Sequence, residues 1–217
     1  MVNEMNGKYT HIIWDFNGTI LDDVIPGIVS VNILLKKYGV PEIPDADAYR
    51  RAFGFPVKDY YEKIGFDFSK TPYDQLAIEW VDLYLEHTKN PNIVKGVPAL
   101  LEYIKNLGIN QLVLSACEIG MLKDQLGQLG VIEYFSDVIG LTNIHAAGKG
   151  DLAKAWIEKN PDAKVLYIGD TIHDFEVAKI LGADCALYTG GHQDRERLEA
   201  CDAHVFDEFS ELEKIIK

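Results

Sequence analysis

Five residues in this sequence have side chains that could do chemistry, and each stands at the edge of a stretch with the pattern of a strand or a helix. Asp15 and Asp170 each follow a short apolar run, Ser115 ends a third such run, and Asp174 comes shortly after Asp170. Lys149 stands between two glycines, just before an amphipathic segment. Because the carboxyl ends of parallel strands meet at one edge of an α/β sheet, we expect a carboxylate, a hydroxyl, a lysine and an acidic pair to converge there.

Each of these residues also has a plain structural interpretation. A lone aspartate after a strand is often a turn or capping residue, and Asp174 could be an acid that the helix dipole favours at a helix N-terminus. Lys149 could be a solvated surface lysine, and Lys154 and Lys164 lie nearby as alternatives. The functional prediction therefore depends on the joint occurrence of these residues in this order along the chain.

The apolar periodicity predicts two kinds of region, which would position these residues. Between residues 22 and 91, apolar residues recur at helical spacing with no convincing strand. Helices are predicted there at 28–38, 45–53, 57–64 and 73–87. From residue 96 onwards, strand and helix patterns alternate, which is typical of a parallel sheet with helices on both faces. We predict an α/β fold with a Rossmann-like parallel sheet in residues 1–21 and 92–217, and an inserted all-helical domain at 22–91.

Composition and charge limit the class of protein. The chain has 217 residues, of which 47% are apolar, so it can bury a substantial core. Its net charge of −13 disfavours a nucleic-acid partner, because phosphate backbones would be repelled. No run reaches the roughly 18 apolar residues of a membrane span, the polar N-terminus lacks a secretory signal, and the cysteines lack metal-type spacing. We predict a cytoplasmic monomer or homodimer without a membrane or nucleic-acid partner.

Taken together, the five residues resemble the four motifs of the haloacid dehalogenase superfamily, and specifically its phosphoglycolate phosphatase-like members with a helical cap. The first motif of that family is Asp-x-Asp-x-Thr, the second a strand-terminal Ser or Thr, the third a Lys, and the fourth Gly-Asp-x-x-x-Asp. In this chain they correspond to 15–19, Ser115, Lys149 and 169–174, in the right order. The resemblance covers nearly the whole chain.

The resemblance implies a role for each of these residues. Asp15 would be the nucleophile that forms an aspartyl phosphate with a small phosphorylated metabolite, and Ser115 and Lys149 would bind the phosphoryl group. Mg²⁺ would be held by Asp15, Asp170, Asp174 and the backbone carbonyl of Asn17. Further contacts to the phosphate or substrate are expected from Phe16, Gly18, Thr19 and Ala116, and from Arg51 in the helical domain. The cations around Arg51 could instead simply solvate a helix.

One position departs from the pattern of the family: Asn17 stands where the second aspartate of the first motif would be. In the resembled family, that aspartate protonates the leaving oxygen and then activates water, whereas an amide cannot exchange a proton near neutral pH. Losing general acid–base catalysis typically costs about 10²–10⁴-fold in rate, and less for acyl or aryl phosphates, whose leaving groups need less protonation. A natural variant with altered substrate preference, a weakened enzyme used for binding or regulation, and an engineered substitution all fit the sequence.

The predicted function is a magnesium-dependent phosphatase, and two alternatives stay open beside it. A phosphate-ester binding or regulatory protein with weakened catalysis is motivated by Asn17. A haloacid dehalogenase would also use Asp15 and Lys149, but that chemistry needs no metal, so the presence of Asp170 and Asp174 disfavours it.

Overall fold

A parallel sheet of six strands lies at the centre of the computed structural model, which describes residues 8–142 and 149–217. The strands are β1 (His11–Trp14), β2 (Asn110–Glu118), β3 (Asp137–Leu141), β4 (Val165–Gly169), β5 (Asp184–Tyr188) and β6 (His204–Phe206). Their order across the sheet is β3-β2-β1-β4-β5-β6. This is a strand order of Rossmann folds, so the predicted Rossmann-like α/β fold is confirmed.

Helices cover both faces of this sheet. In the described residues the α-helices are α1 (Val24–Lys37), α2 (Ala46–Ala52), α3 (Val57–Lys63), α4 (Tyr73–His87), α5 (Val97–Asn106), α6 (Ile119–Gln128), α7 (Gly150–Lys159), α8 (Ile172–Leu181), α9 (Arg195–Glu199) and α10 (Glu213–Ile216). Ile12 and Trp14 of β1 share an apolar cluster with buried side chains of α5 and α6, whereas Ile13 shares one with α7 and α8. A strand buried on both faces is apolar without alternation, which is the pattern that the sequence has before Asp15.

The four helices α1 to α4 lie between β1 and β2 in the chain and share a third apolar cluster. The chain enters and leaves this helical segment at one place, where Leu21 forms an antiparallel bridge with Ile93 and the N–H of Asp22 donates to the carbonyl of Asn92. All four predicted helices are present. That residues 22–91 form a separate cap domain stays a prediction, and residues 1–7 of the predicted core lie outside the described residues.

Three details of the core differ from the prediction. β2 continues to Glu118 instead of ending at Ser115, and its pairing with β3 is irregular there. α8 begins earlier than its apolar pattern indicates, because a capping box at Thr171 starts the helix. α9 was not predicted, since five residues are too few to establish a helical period. Within the described residues, no helix has the length and apolar character needed to cross a membrane.

Candidate active site

The carboxyl ends of three adjacent strands bring predicted site residues together. Asp15 follows β1, Asp170 follows β4 on one side of β1, and Ser115 lies in the last part of β2 on the other side. These three residues are buried, with exposed fractions of 7%, 0% and 1% respectively. Successive strands are added from β1 towards β3 on one side and from β4 towards β6 on the other, so the strand order changes direction between β1 and β4. Ligands of open α/β sheets bind at such a switch point.

Lys149 stands directly before α7, and its ammonium group joins two of the carboxylates. Its Nζ donates to Oδ1 of Asp15 at 2.5 Å and lies 2.6 Å from Oδ1 of Asp174. Burial alone would lower the pKa of Lys149, but the two carboxylates hold that pKa well above its usual value. The structure therefore places Lys149 at the site, whereas the two nearby lysines are exposed. Gly148, which precedes it in the predicted motif, lies outside the described residues.

Asp174 is positioned by the start of α8. Its N–H donates to Oγ1 of Thr171, while its own Oδ2 accepts the N–H of Thr171 at 2.9 Å, which makes a capping box. The same Oδ2 accepts the N–H of Asp170, and Oδ1 is the oxygen that contacts Lys149. Asp174 therefore caps a helix through one carboxylate oxygen and contacts Lys149 of the charged cluster through the other. Burial would raise the pKa of Asp174, but the Lys149 ammonium outweighs it and holds that pKa below its usual value.

Asp170 is held by neutral donors and by the close approach of two glycines. Its Oδ1 accepts the hydroxyl of Thr19 at 3.1 Å, and its Oδ2 accepts the N–H of His192 at 2.6 Å. A Cβ atom on Gly18 or Gly191 would clash with the Asp170 carboxylate, and Gly18 also has a φ of +72°. Gly18 and Thr19 thus lie at the predicted site, where they position a carboxylate.

The carboxylates of this cluster fit a divalent cation with oxygen ligands. One oxygen from each of Asp15, Asp170 and Asp174 lies within 4.8 Å of the others. All buried Asp, Lys and His residues of the described chain line one cavity: Asp15, Asp23, Lys149, Asp170, Asp174 and His192. Four carboxylates therefore face two cationic groups, and a divalent ion would balance the difference. Burial raises the pKa of Asp15 to about 6 and that of Asp170 well above its usual value, so a bound cation would favour the ionised form of each.

Asn17 also lines the cavity, and its amide is held in one orientation. Its Nδ2 donates to Oδ2 of Asp23 and to the hydroxyl oxygen of Tyr84, both at 2.8 Å. These two acceptors lie only 2.6 Å apart, too close for each to face its own N–H group, so they can share one of the two N–H groups of the amide. The Asn17 side chain can therefore hydrogen-bond a bound molecule, but an amide does not transfer a proton near neutral pH.

Asp23 and His192 form an ion pair that the residue pattern did not predict. Asp23 accepts the N–H of Gly18 at 2.7 Å and the Tyr84 hydroxyl at 2.6 Å, and its Oδ1 lies 3.2 Å from Nε2 of His192. Burial would lower the pKa of His192, but the Asp23 carboxylate outweighs it and raises that pKa to about 9. Tyr49 completes the network by a 2.9 Å contact with Nδ1 of His192. No local signal marks Asp23, because acidic residues are common at the start of a helix.

The remaining predicted residues divide into those that reach the cavity and those that do not. Ala116 lines the cavity, whereas Phe16 is fully buried in the apolar core. Arg51 is exposed and is not among the residues that line the cavity, so the structure does not bring its side chain to the site. The neighbouring Arg50 instead donates to the backbone carbonyls of residues 190–191, at 3.1 and 2.9 Å.

Comparison with known proteins gives consistent matches. The sequence profile of the haloacid dehalogenase-like hydrolases matches residues 12–188. The phosphoglycolate phosphatase of Pseudomonas savastanoi pv. phaseolicola is 22% identical over 217 positions, which cover 93% of this chain and 77% of that protein.

Solved structures share the fold over nearly their full length. A haloacid dehalogenase-like family protein of Streptococcus pneumoniae has a TM-score of 0.77 at 20% identity, with 97% of this chain and 99% of that chain covered. Protein tyrosine kinase A of Mycobacterium tuberculosis has a TM-score of 0.79 at 17% identity, with coverages of 96% and 98%. At these identities the structural likeness establishes the fold, and the chemistry has to be argued from the site.

Proposed function

The chain belongs to the haloacid dehalogenase-like hydrolases, and on this basis we propose that it is a magnesium-dependent phosphatase acting on a small phosphorylated metabolite. One observation carries the proposal: Asp15, Lys149 and the pair Asp170 and Asp174 come from three separate parts of the sequence but form one buried cluster at the carboxyl edge of the sheet. A nucleophilic carboxylate, a fixed ammonium group and a carboxylate pair are the groups that phosphoryl transfer through an aspartyl phosphate requires.

Asp15 is the nucleophile in this proposal. Its carboxylate attacks phosphorus while the bond to the leaving oxygen breaks, and water then cleaves the aspartyl phosphate to release phosphate and restore Asp15. Lys149 bonds Oδ1 of Asp15 and stabilises negative charge on the phosphoryl oxygens. Ser115, whose Oγ accepts the N–H of Cys117 at 3.1 Å, is oriented to hydrogen-bond a phosphate oxygen.

Mg²⁺ would be held by Asp15, Asp170, Asp174 and the backbone carbonyl of Asn17. When bound, it would neutralise charge on the phosphoryl group and orient that group. The Asp174 carboxylate is pre-oriented for this by its capping box, and the Asp170 carboxylate by its hydrogen bonds to Thr19 and His192.

The helical segment 22–91 is, in this proposal, a cap over the site. Its residue Tyr49 bonds His192 and its residue Tyr84 accepts a hydrogen bond from Asn17, and its aromatic side chains line the cavity beside Asp15. A cap in this position excludes bulk water from the reacting groups and selects the substrate.

The test is a phosphate-release assay over sugar, nucleotide, acyl and aryl phosphates, with and without Mg²⁺. We expect release that requires Mg²⁺ and that falls by roughly 10⁴-fold or more in Asp15→Asn, as expected when a nucleophile is removed. Asp22→Asn is the matched control, because Asp22 is exposed and lies outside the cavity. Halide release from a haloacid that survives chelation, together with no phosphate release, would favour a dehalogenase. Mg²⁺-dependent binding without release from any ester would favour the binding protein that Asn17 suggested.

A further inference from the structure

We infer that the substrate is an aryl phosphate, whose ring occupies the aromatic cavity beside Asp15. The inference rests on the proposed function, since it names the ester that the phosphatase would cleave. It draws on three features of the cavity: its size and lining, its charges, and the position of Asn17.

The cavity has a lining that suits an aromatic ring. Its volume of about 160 Å³ has to hold the phosphoryl group as well, because Asp15 and Lys149 line the same cavity, so the space favours a ligand with a single ring. Eight of its lining residues are Phe, Tyr or Trp, and all eight come from the helical segment. Aromatic rings favour stacked or edge-to-face contacts with a ring-shaped ligand.

The charges around the cavity disfavour a substrate with a second anionic group. Among the described residues, its cationic lining groups are Lys149 and His192, and each is already paired with buried carboxylates. No described arginine lines the cavity, and Glu118 adds a further negative charge to its wall. A carboxylate such as that of phosphoglycolate would lose its hydration here without gaining a cationic partner.

Asn17 selects for a leaving group that departs without a proton. An amide does not release a proton near neutral pH, so Asn17, which bonds Asp23 and Tyr84, cannot protonate the leaving oxygen. A phenol has a pKa of about 10, whereas an alkyl alcohol is a far weaker acid, about as weak as water. A phenolate therefore leaves as the anion, which an alkoxide does only at a large cost in rate.

The reaction balances without any further reactant than water. A carboxylate oxygen of Asp15 bonds to phosphorus, the bond between phosphorus and the ring oxygen breaks, and its electron pair leaves on the phenolate, which takes a proton from water. Water then cleaves the aspartyl phosphate. The products are a phenol and inorganic phosphate, one water is consumed overall, and Asp15 is restored.

The experiment measures phosphate release and binding by the full chain with Mg²⁺. We expect kcat/KM to be at least about 100-fold higher for phenyl phosphate than for glycerol phosphate or phosphoglycolate. Because aryl esters have better leaving groups in any enzyme, inhibition is measured as well with benzylphosphonate and phosphonopropionate, in which CH₂ replaces the bridging oxygen. The inference predicts that benzylphosphonate binds at least about tenfold more tightly.

The outcomes separate the two levels of the argument. Release from none of the esters would refute the proposed function. Release together with equal or tighter binding of phosphonopropionate would refute the aryl substrate and leave the phosphatase intact.

Discussion

The substitution Asn17→Asp restores a carboxyl group where the family pattern has one, and the structure predicts two opposed effects. An oxygen would replace Nδ2, which lies 2.8 Å from Oδ2 of Asp23. Two carboxylates at this distance cannot both ionise, so the pair would hold one proton at neutral pH. That proton is what a poor leaving group needs, so the substitution should help catalysis while it disturbs the folded state.

The expected magnitudes differ between substrates. For glycerol phosphate, kcat should rise by about 10²-fold or more, the lower part of the range for general acid catalysis. For phenyl phosphate it should change by less than about tenfold, since a phenolate needs little help. Replacing the donated hydrogen bond of Asn17 by an oxygen facing Asp23 should cost about 1–3 kcal/mol of unfolding free energy near neutral pH.

The destabilisation by Asn17→Asp should depend on pH in a defined direction. The introduced carboxyl, or Asp23, would have a folded-state pKa above the unfolded value of about 3.9. Between these two values the native state binds more protons than the unfolded state, so stability falls as pH rises through the window. The difference in unfolding free energy between the parent chain and the variant should be smallest near pH 4 to 5 and largest near pH 8.

The assay combines steady-state phosphate release from both esters with thermal denaturation across this pH range. Asn90→Asp is the control, because it adds the same charge at an exposed position. An equal rise for both esters, or no change for glycerol phosphate, would contradict the proton-transfer account. A loss of stability independent of pH would contradict the shared proton.

Three further predictions concern the charged cluster. Lys149→Met leaves the buried carboxylates of Asp15 and Asp174 without their ammonium group. The unfolding free energy should therefore fall by roughly 3–5 kcal/mol in chemical denaturation without Mg²⁺. An unchanged denaturation midpoint would contradict these buried ion pairs. Mg²⁺ should raise the thermal midpoint of the parent chain by linkage, and this rise should be lost in Asp170→Asn; an equal shift in both would place the ion elsewhere. Gly191→Ala should abolish the Mg²⁺-dependent rise in the thermal midpoint, because the added Cβ would displace the Asp170 carboxylate, and the far-ultraviolet circular dichroism should stay native. Gly127→Ala is the control and should keep the rise, because there is open space around Gly127.

The parts of the site that lie at strand ends were predictable from local sequence. Asp15 and Asp170 follow apolar runs, and a run buried on both faces has to be a central strand whose carboxyl end reaches the ligand edge. Asp174 was predicted as either a helix cap or a cluster member, and it is both, because a carboxylate has two oxygens that can serve different partners. The family match supports this interpretation of the motifs.

The contribution of the helical segment was much less predictable. Its helices follow from apolar periodicity, but their side chains reach the site through the packing of that segment on the sheet. Arg51 was expected at the cavity, yet its neighbour Arg50 makes the contact to the core, because adjacent residues on a helix face different directions.

The sequence by itself determined which groups could do the chemistry and at which edge of the sheet they would lie, since both follow from residue type and chain direction. Only the tertiary structure decided what surrounds them. The pairing of Asp23 with His192, the contacts of the Asn17 amide and the aromatic lining of the cavity arise where distant segments meet. Such contacts have no local pattern in the chain, because burial and hydrogen-bond partners are properties of the packed fold.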